Sequence, residues 1–140
     1  MNTLVRVAAL TVALSAIGST AGHAQLNSSP MKFGIKMADN VYSKKALKVR
    51  RGEAISFVFS NSGKLVHEAV VGTRAEQVAH EKEMVAMGGM AMADEPNAIQ
   101  VKPGKSKTLT YTFAKAGAYE IGCHIPSHYK AGMKIDVIVS

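Results

Sequence analysis

After residue 30, apolar and polar residues alternate with a period of two through most of the chain. Phe33, Ile35 and Met37 alternate with Gly34, Lys36 and Ala38, and Leu47 and Val49 alternate with lysine and arginine. After a turn at Arg51-Gly52-Glu53, Ile55, Phe57 and Phe59 point one way. Asn61-Ser62-Gly63-Lys64 reads as a second turn leading into an apolar strand, Leu65–Val71. Leu109, Tyr111 and Phe113 repeat the pattern after the turn around Pro103-Gly104. Ala118–Cys123 follows the turn at Ala116-Gly117, and the last strand presents Met133, Ile135, Val137 and Val139 on one face. Period-two alternation places one face of each strand inside. Short strands separated by Gly/Pro turns predict an all-β, antiparallel β-sandwich or barrel.

One segment departs from this pattern. Thr73 followed by Glu76 forms a capping box, and residues 74 to about 87 lack Gly and Pro and are rich in Ala, Glu, Gln and Met. These features predict one short helix, ended by Gly88-Gly89. A Met-containing insert, Met90-Ala-Met92, then returns the chain through Asp94-Glu-Pro96 to the sheet.

The first residues carry a different signal. One arginine, Arg6, precedes an apolar run from Val7 to Ile17 and a small-residue segment ending at Ala24. This is the pattern of a cleaved secretory signal peptide over residues 1–24, with the cut expected after Ala24 or, as the alternative, Ala21. The run is too short to span a membrane as a helix. Residues 25–30 read as a flexible lead-in and 31–140 as one domain. Removing 24 of the 140 residues leaves 116, enough for a modest core. Export implies an oxidising compartment, expected to be a bacterial periplasm. The net charge of +7 falls by one without Arg6. Lys44, Lys45, Lys48, Arg50 and Arg51 cluster in sequence and read as a solvated strand face. No nucleic-acid motif is present.

Export makes the single cysteine chemically interesting. Cys123 has no intramolecular disulfide partner, and a lone thiol in an oxidising compartment survives if it is buried or held by a metal. It opens the run Cys123-His-Ile-Pro-Ser-His128-Tyr-Lys-Ala-Gly-Met133. A thiolate, imidazoles and a weak axial thioether form the donor set of a blue-copper site, and a strand histidine, His67, can supply the second imidazole. Gly132 lets the backbone turn tightly before Met133. Pro126 removes one N–H that could bond the sulfur, which predicts a raised reduction potential. Structural zinc is the nearest rival, but its sites have no role for a thioether.

With these residues the chain resembles the small cupredoxins, the blue-copper proteins, over residues 31–140. It is most similar to periplasmic cupredoxin-like copper-tolerance proteins. The resemblance rests on Lys64–Glu68, the Met/His insert His80–Met92, the segment Asp94–Asn97 and the loop Cys123–Tyr129. It implies a Greek-key sandwich with one type 1 copper per chain, held by His67, Cys123, His128 and Met133. It also implies a role in copper tolerance through Cu(I) scavenging, oxidation or transfer. Ser127 stands where glycine is common in such loops, which stiffens the loop without removing a ligand.

Other signals are weaker. His124 follows Cys123 directly, so on a strand it faces the opposite way and is expected to be a hydrogen-bonded histidine. His80, Met84 and Met87 share one helical face, with Met90 and Met92 following. They form a candidate second, soft-metal patch, set against a packing role for the methionines. No hydrolase, metalloprotease or phosphate-binding motif occurs, so an enzyme is not expected; the alternative, a copper-dependent oxidase or reductase, would need a second metal with open coordination. The alternative to copper tolerance is an electron carrier between periplasmic redox partners, steered to an acidic partner by the basic charge. In either role the expected partners are copper ions and a protein that exchanges electrons or copper.

Overall fold

Alternation along the strands closes into two layers. The structure, a computed structural model, describes residues 29–89 and 93–140. The expected signal peptide, most of the lead-in, and Met90 and Met92 lie outside the described residues. One sheet contains β1 (Met31–Ala38), β2 (Val41–Tyr42), β4 (Ala54–Asn61) and β7 (Ser106–Thr112), in the order β2-β1-β4-β7. The other contains β3 (Ala46–Val49), β5 (His67–Gly72), β6 (Ala98–Val101), β8 (Gly117–Gly122) and β9 (Lys134–Val139), in the order β3-β9-β8-β5-β6. Both sheets are mixed. β1 runs parallel to β4 and β3 parallel to β9, while the remaining pairs are antiparallel. Period-two alternation reports which face is buried and is silent on strand direction, so the expected antiparallel sandwich is recovered with two parallel pairings added.

The inward faces are those that the alternation marks. Ile35, Met37, Ile55, Phe57, Phe59, Phe113, Ile121, Ile135 and Val137 are each 1% exposed or less and form one core between the sheets. Burial on this scale contributes roughly 1.5–3 kcal/mol per large side chain before chain entropy opposes it. Lys48 points outward between buried Leu47 and Val49, and Lys45, Arg50 and Arg51 are exposed. The basic run is therefore a solvated face.

The helix α1 (Arg74–Ala86) begins at the expected capping box, with Glu76 N–H donating to Thr73 Oγ1 and Thr73 N–H donating to Glu76 Oε2. Its buried residues are Gln77 and Met84. Gln77 is fully buried, and its amide nitrogen donates to the carbonyls of Val70 in β5 and Glu120 in β8. A glutamine rather than an apolar stripe thus docks the helix over β5, which is buried at every position.

Glu120 ties the helix, the sheet and the loop after β8 together. Its carboxylate accepts from Arg74 at 3.0 Å, from Lys134 at 2.6 Å and from the Tyr129 hydroxyl. Burial alone would raise its pKa, but Lys134, Tyr129 and Arg74 outweigh that effect and hold it below the usual glutamate range. A carboxyl depressed in this way contributes stability that is complete above its unfolded pKa and is lost as the pH falls through the folded value. Glu120→Gln is therefore expected to be less stable than wild type at neutral pH and to show a shallower loss of stability below the ordinary value of 4.5. Glu120→Ala should lose about 2 kcal/mol at pH 7, because it strands three donors. Denaturant melts across this pH range test both, and equal acid limbs in wild type and Glu120→Gln would remove Glu120 from this role.

Candidate metal centre

The ends of three interior strands meet at one end of the larger sheet. β5 begins at His67, β8 ends just before Cys123, and β9 begins just after Met133. Because β8 pairs antiparallel with both β5 and β9, these points lie at the same end. The segment from Cys123 to Met133 closes on itself. Cys123 N–H donates to Met133 C=O at 3.1 Å, and Met133 N–H donates to His128 C=O at 3.0 Å. Ser127 takes a left-handed conformation in this loop (φ 75°), one that glycine adopts without steric cost. Gly132 is also left-handed (φ 90°), as the turn before Met133 requires.

The histidine strand is fixed from the other side. Asn61 is buried and donates to the carbonyls of Leu65 and Val101, while its own carbonyl accepts from Gly63 N–H, all at 2.8 Å. The turn preceding His67 is thereby locked to β6. Glu68 N–H donates to Cys123 Sγ at 3.3 Å, linking β5 directly to the sulfur.

These ties bring together three of the side chains named from the sequence. Cys123 Sγ lies 3.5 Å from His128 Nδ1 and 4.0 Å from His67 Nδ1. The candidate donor atoms of all three lie within 4.8 Å of one another, and among the described residues no other group of histidine, cysteine or acidic side chains converges in this way. Bonds of about 2.0–2.1 Å to nitrogen and 2.3 Å to sulfur, spread in a plane, would separate sulfur from nitrogen by about 3.8 Å. The observed separations bracket that value, so the donor set fits a first-row metal without rearrangement. Met133 is fully buried, and its backbone is bonded to both Cys123 and His128.

Electrostatics fit the same use. Burial, then the neighbouring His128, lower the pKa of His67, with Asp39 pulling the other way. Burial likewise lowers that of His128. Both imidazoles are thus neutral near pH 7, as metal donors must be. Burial pushes the Cys123 thiol up to about 12, against the pull of the Glu68 and Ile125 amides. A thiolate here requires a cation beside it. Two amides, those of Glu68 and Ile125, reach toward the sulfur.

His124 faces away from this cluster, as strand alternation predicts. Its ring bonds Glu81 Oε2 at 2.7 Å and Gln77 Oε1 at 2.6 Å, both from α1. Its own N–H donates to the buried Glu68 carboxylate at 3.3 Å. Of the proposed soft-metal patch, Met84 is buried, and His80 sits 3.5 Å from Glu68 Oε2 and edge-on to the His124 ring. Sequence reading did not single out Glu68, Gln77, Glu81 or Asp39. Glu68 carried the one available clue, an acidic residue inside an otherwise apolar strand.

Comparison with known proteins follows the same line. Residues 29–140 match the family model of copper binding proteins of the plastocyanin/azurin family. A copper-resistant cuproprotein, CopI, of Pseudomonas aeruginosa is 35% identical, covering 84% of this chain and 79% of that protein. The CopI of Rubrivivax gelatinosus is 42% identical over 75% of this chain and 64% of its own length. Among solved structures, reduced auracyanin from Roseiflexus castenholzii superposes with a TM-score of 0.69 at 27% identity, covering 81% of this chain and 99% of that one. Auracyanin B, at 21% identity and a TM-score of 0.66, shares the fold. With sequence and architecture in agreement over nearly all described residues, this chain belongs to the plastocyanin/azurin family of copper binding proteins.

Proposed function

We propose that His67, Cys123, His128 and Met133 hold one type 1 copper, and that the protein serves copper tolerance from the periplasm by taking up, oxidising or passing on Cu(I). The observation that carries this reading is the meeting of one thiol sulfur with two imidazole Nδ1 atoms at 3.5 and 4.0 Å in a buried site. Such a donor set supplies one-electron exchange between Cu(I) and Cu(II) when copper is bound. The protein's own contribution is to exclude water, to hold both imidazoles neutral, and to stabilise the thiolate through the Glu68 amide. Full burial of Met133 and its backbone bonds to Cys123 and His128 support it as the axial donor. The copper-resistance role is supported by the likeness to the CopI proteins, and export by the character of residues 1–24. No helix among the described residues is long and apolar enough to cross a membrane.

Adding Cu(II) to the purified protein should produce an intense blue or green thiolate-to-copper band that is lost in Cys123→Ser. A colourless adduct in wild type would end the type 1 reading. Before copper is added, the buried thiol should resist alkylating reagents at pH 7–8 until denaturant is present, at least a hundredfold more slowly than an exposed cysteine (about two pH-units' worth of thiolate suppression). Fast alkylation of the folded copper-free protein would contradict the buried, protonated state. In cells, deletion should produce copper sensitivity with intact respiration; loss of a respiratory or other redox pathway at low copper would instead identify an electron carrier.

A further inference from the structure

Asp39 lies in the tight turn between β1 and β2, in the sheet opposite to the one that carries the site. Its carboxylate crosses to the loop before His67. Oδ1 accepts from Lys64 N–H at 2.9 Å and Leu65 N–H at 3.2 Å, and it lies 3.2 Å from His67 Nε2. His67 is fully buried, so its Nε2 needs a partner, and Asp39 provides one. The contact has a steric requirement of its own. A Cβ on Gly63 would collide with the Asp39 carboxylate and stand 2.9 Å from His67 Nε2.

We propose that Asp39 is the positioning residue of the metal centre: its carboxylate accepts the Nε2 proton of His67, fixes that tautomer and ring angle, and so presents the Nδ1 lone pair to the ion bound beside Cys123. The inference rests on the copper reading above and adds a carboxylate that acts through a ligand rather than as one. An imidazole has two nitrogens, and the one that carries the proton cannot bind metal. Hydrogen bonding of Nε2–H to a carboxylate assigns Nδ1 as the donor and makes it more basic. The two backbone N–H groups hold the carboxylate in place and keep it ionised, as the lowered pKa of Asp39 agrees, with the Leu65 amide the largest cause. A negative charge one imidazole away from the ion stabilises Cu(II) more than Cu(I). Asp39 thereby acts on both the geometry and the redox balance of the site.

The test uses the full-length mature protein with Asp39→Asn, Asp39→Ala and Gly63→Ala. In the copper-free wild type, the ring-nitrogen NMR shifts of His67 should report the Nε2–H tautomer. Asp39→Asn keeps an acceptor oxygen and should keep that tautomer, while Asp39→Ala and Gly63→Ala should lose the preference. With copper bound, Asp39→Asn should weaken Cu(II) about tenfold with Cu(I) affinity unchanged, a rise of about 59 mV in one-electron potential. Asp39→Ala should show the same rise together with a broadened visible band. A loop cap without influence on the metal would lower the melting temperature and leave tautomer and potential at wild-type values, and that outcome overturns the proposal. Absence of the thiolate-to-copper band in wild type would overturn the copper reading itself. A normal wild-type band with an unchanged Asp39→Asn potential would overturn only the role of Asp39. Should Asp39→Ala fail to fold, Asp39→Asn still decides, because it keeps the Oδ1 acceptor for the Lys64 and Leu65 N–H groups while removing the charge.

Discussion

A sulfur buried completely, yet needed as an anion if it is to hold the proposed copper, is the constraint that organises this molecule. Taking a thiol out of water raises its pKa, and Cys123 is pushed up to about 12. A bound cation can reverse that only if its other ligands and the surrounding dipoles are already in place. The Glu68 N–H supplies one such dipole at 3.3 Å. Glu68 can do so because its strand is the neighbour of β8, whose end delivers Cys123. Sheet order and metal chemistry are therefore one problem. Had β5 paired elsewhere, the sulfur would lack both its amide donor and its first imidazole.

The same constraint explains the helix. α1 packs over β5 and β8 with Gln77, Glu81 and Arg74 beside one buried apolar side chain, Met84. Each of these side chains meets a polar group on β8 or just after it. Gln77 and Glu81 bond His124, whose ring must turn away because Cys123 turns inward. Arg74 joins Lys134 and Tyr129 on Glu120. Buried polar groups are tolerable when every member finds a partner, and a network of this kind also specifies one arrangement of helix over sheet. His80 Nε2 is the loosest member, buried and 3.5 Å from Glu68 Oε2, with no closer hydrogen-bond partner among the described residues.

Much of this was legible in the chain. Period-two alternation located the long strands because burial of one face is a local property of the sequence. The capping box located the helix start, and the Cys-His spacing with a strand histidine marked three side chains, His67, Cys123 and His128, that the fold brings together. The two-residue strand β2 was missed because it carries too little pattern, and β6 was read only as a return of the chain to the sheet. Parallel pairing was missed because alternation does not encode direction. Asp39 and Gln77 were missed for a different reason. Their roles depend on side chains 28 and 47 positions away, His67 and His124, and no local rule registers such a contact. Ser127 shows the reverse case, where comparison with glycine-bearing loops pointed to a backbone position that proved to be left-handed.

What remains is why the donors already stand where a metal needs them. An ion passing between Cu(I) and Cu(II) changes its preferred geometry, and any ligand free to follow would add motion to each transfer. Here each donor is held from behind. The Cys123 backbone is pinned to Met133, and its sulfur to the Glu68 amide. His128 is held by Ile125 and Met133 through the backbone, and His67 by Asp39 and the turn that Asn61 locks. The cost of that order, in buried imidazoles and a buried thiol, falls on folding, where the core between the two sheets can offset it. Binding at the proposed site would then require little further rearrangement, since the separations of 3.5 and 4.0 Å around the sulfur already bracket the spacing that a planar donor set needs.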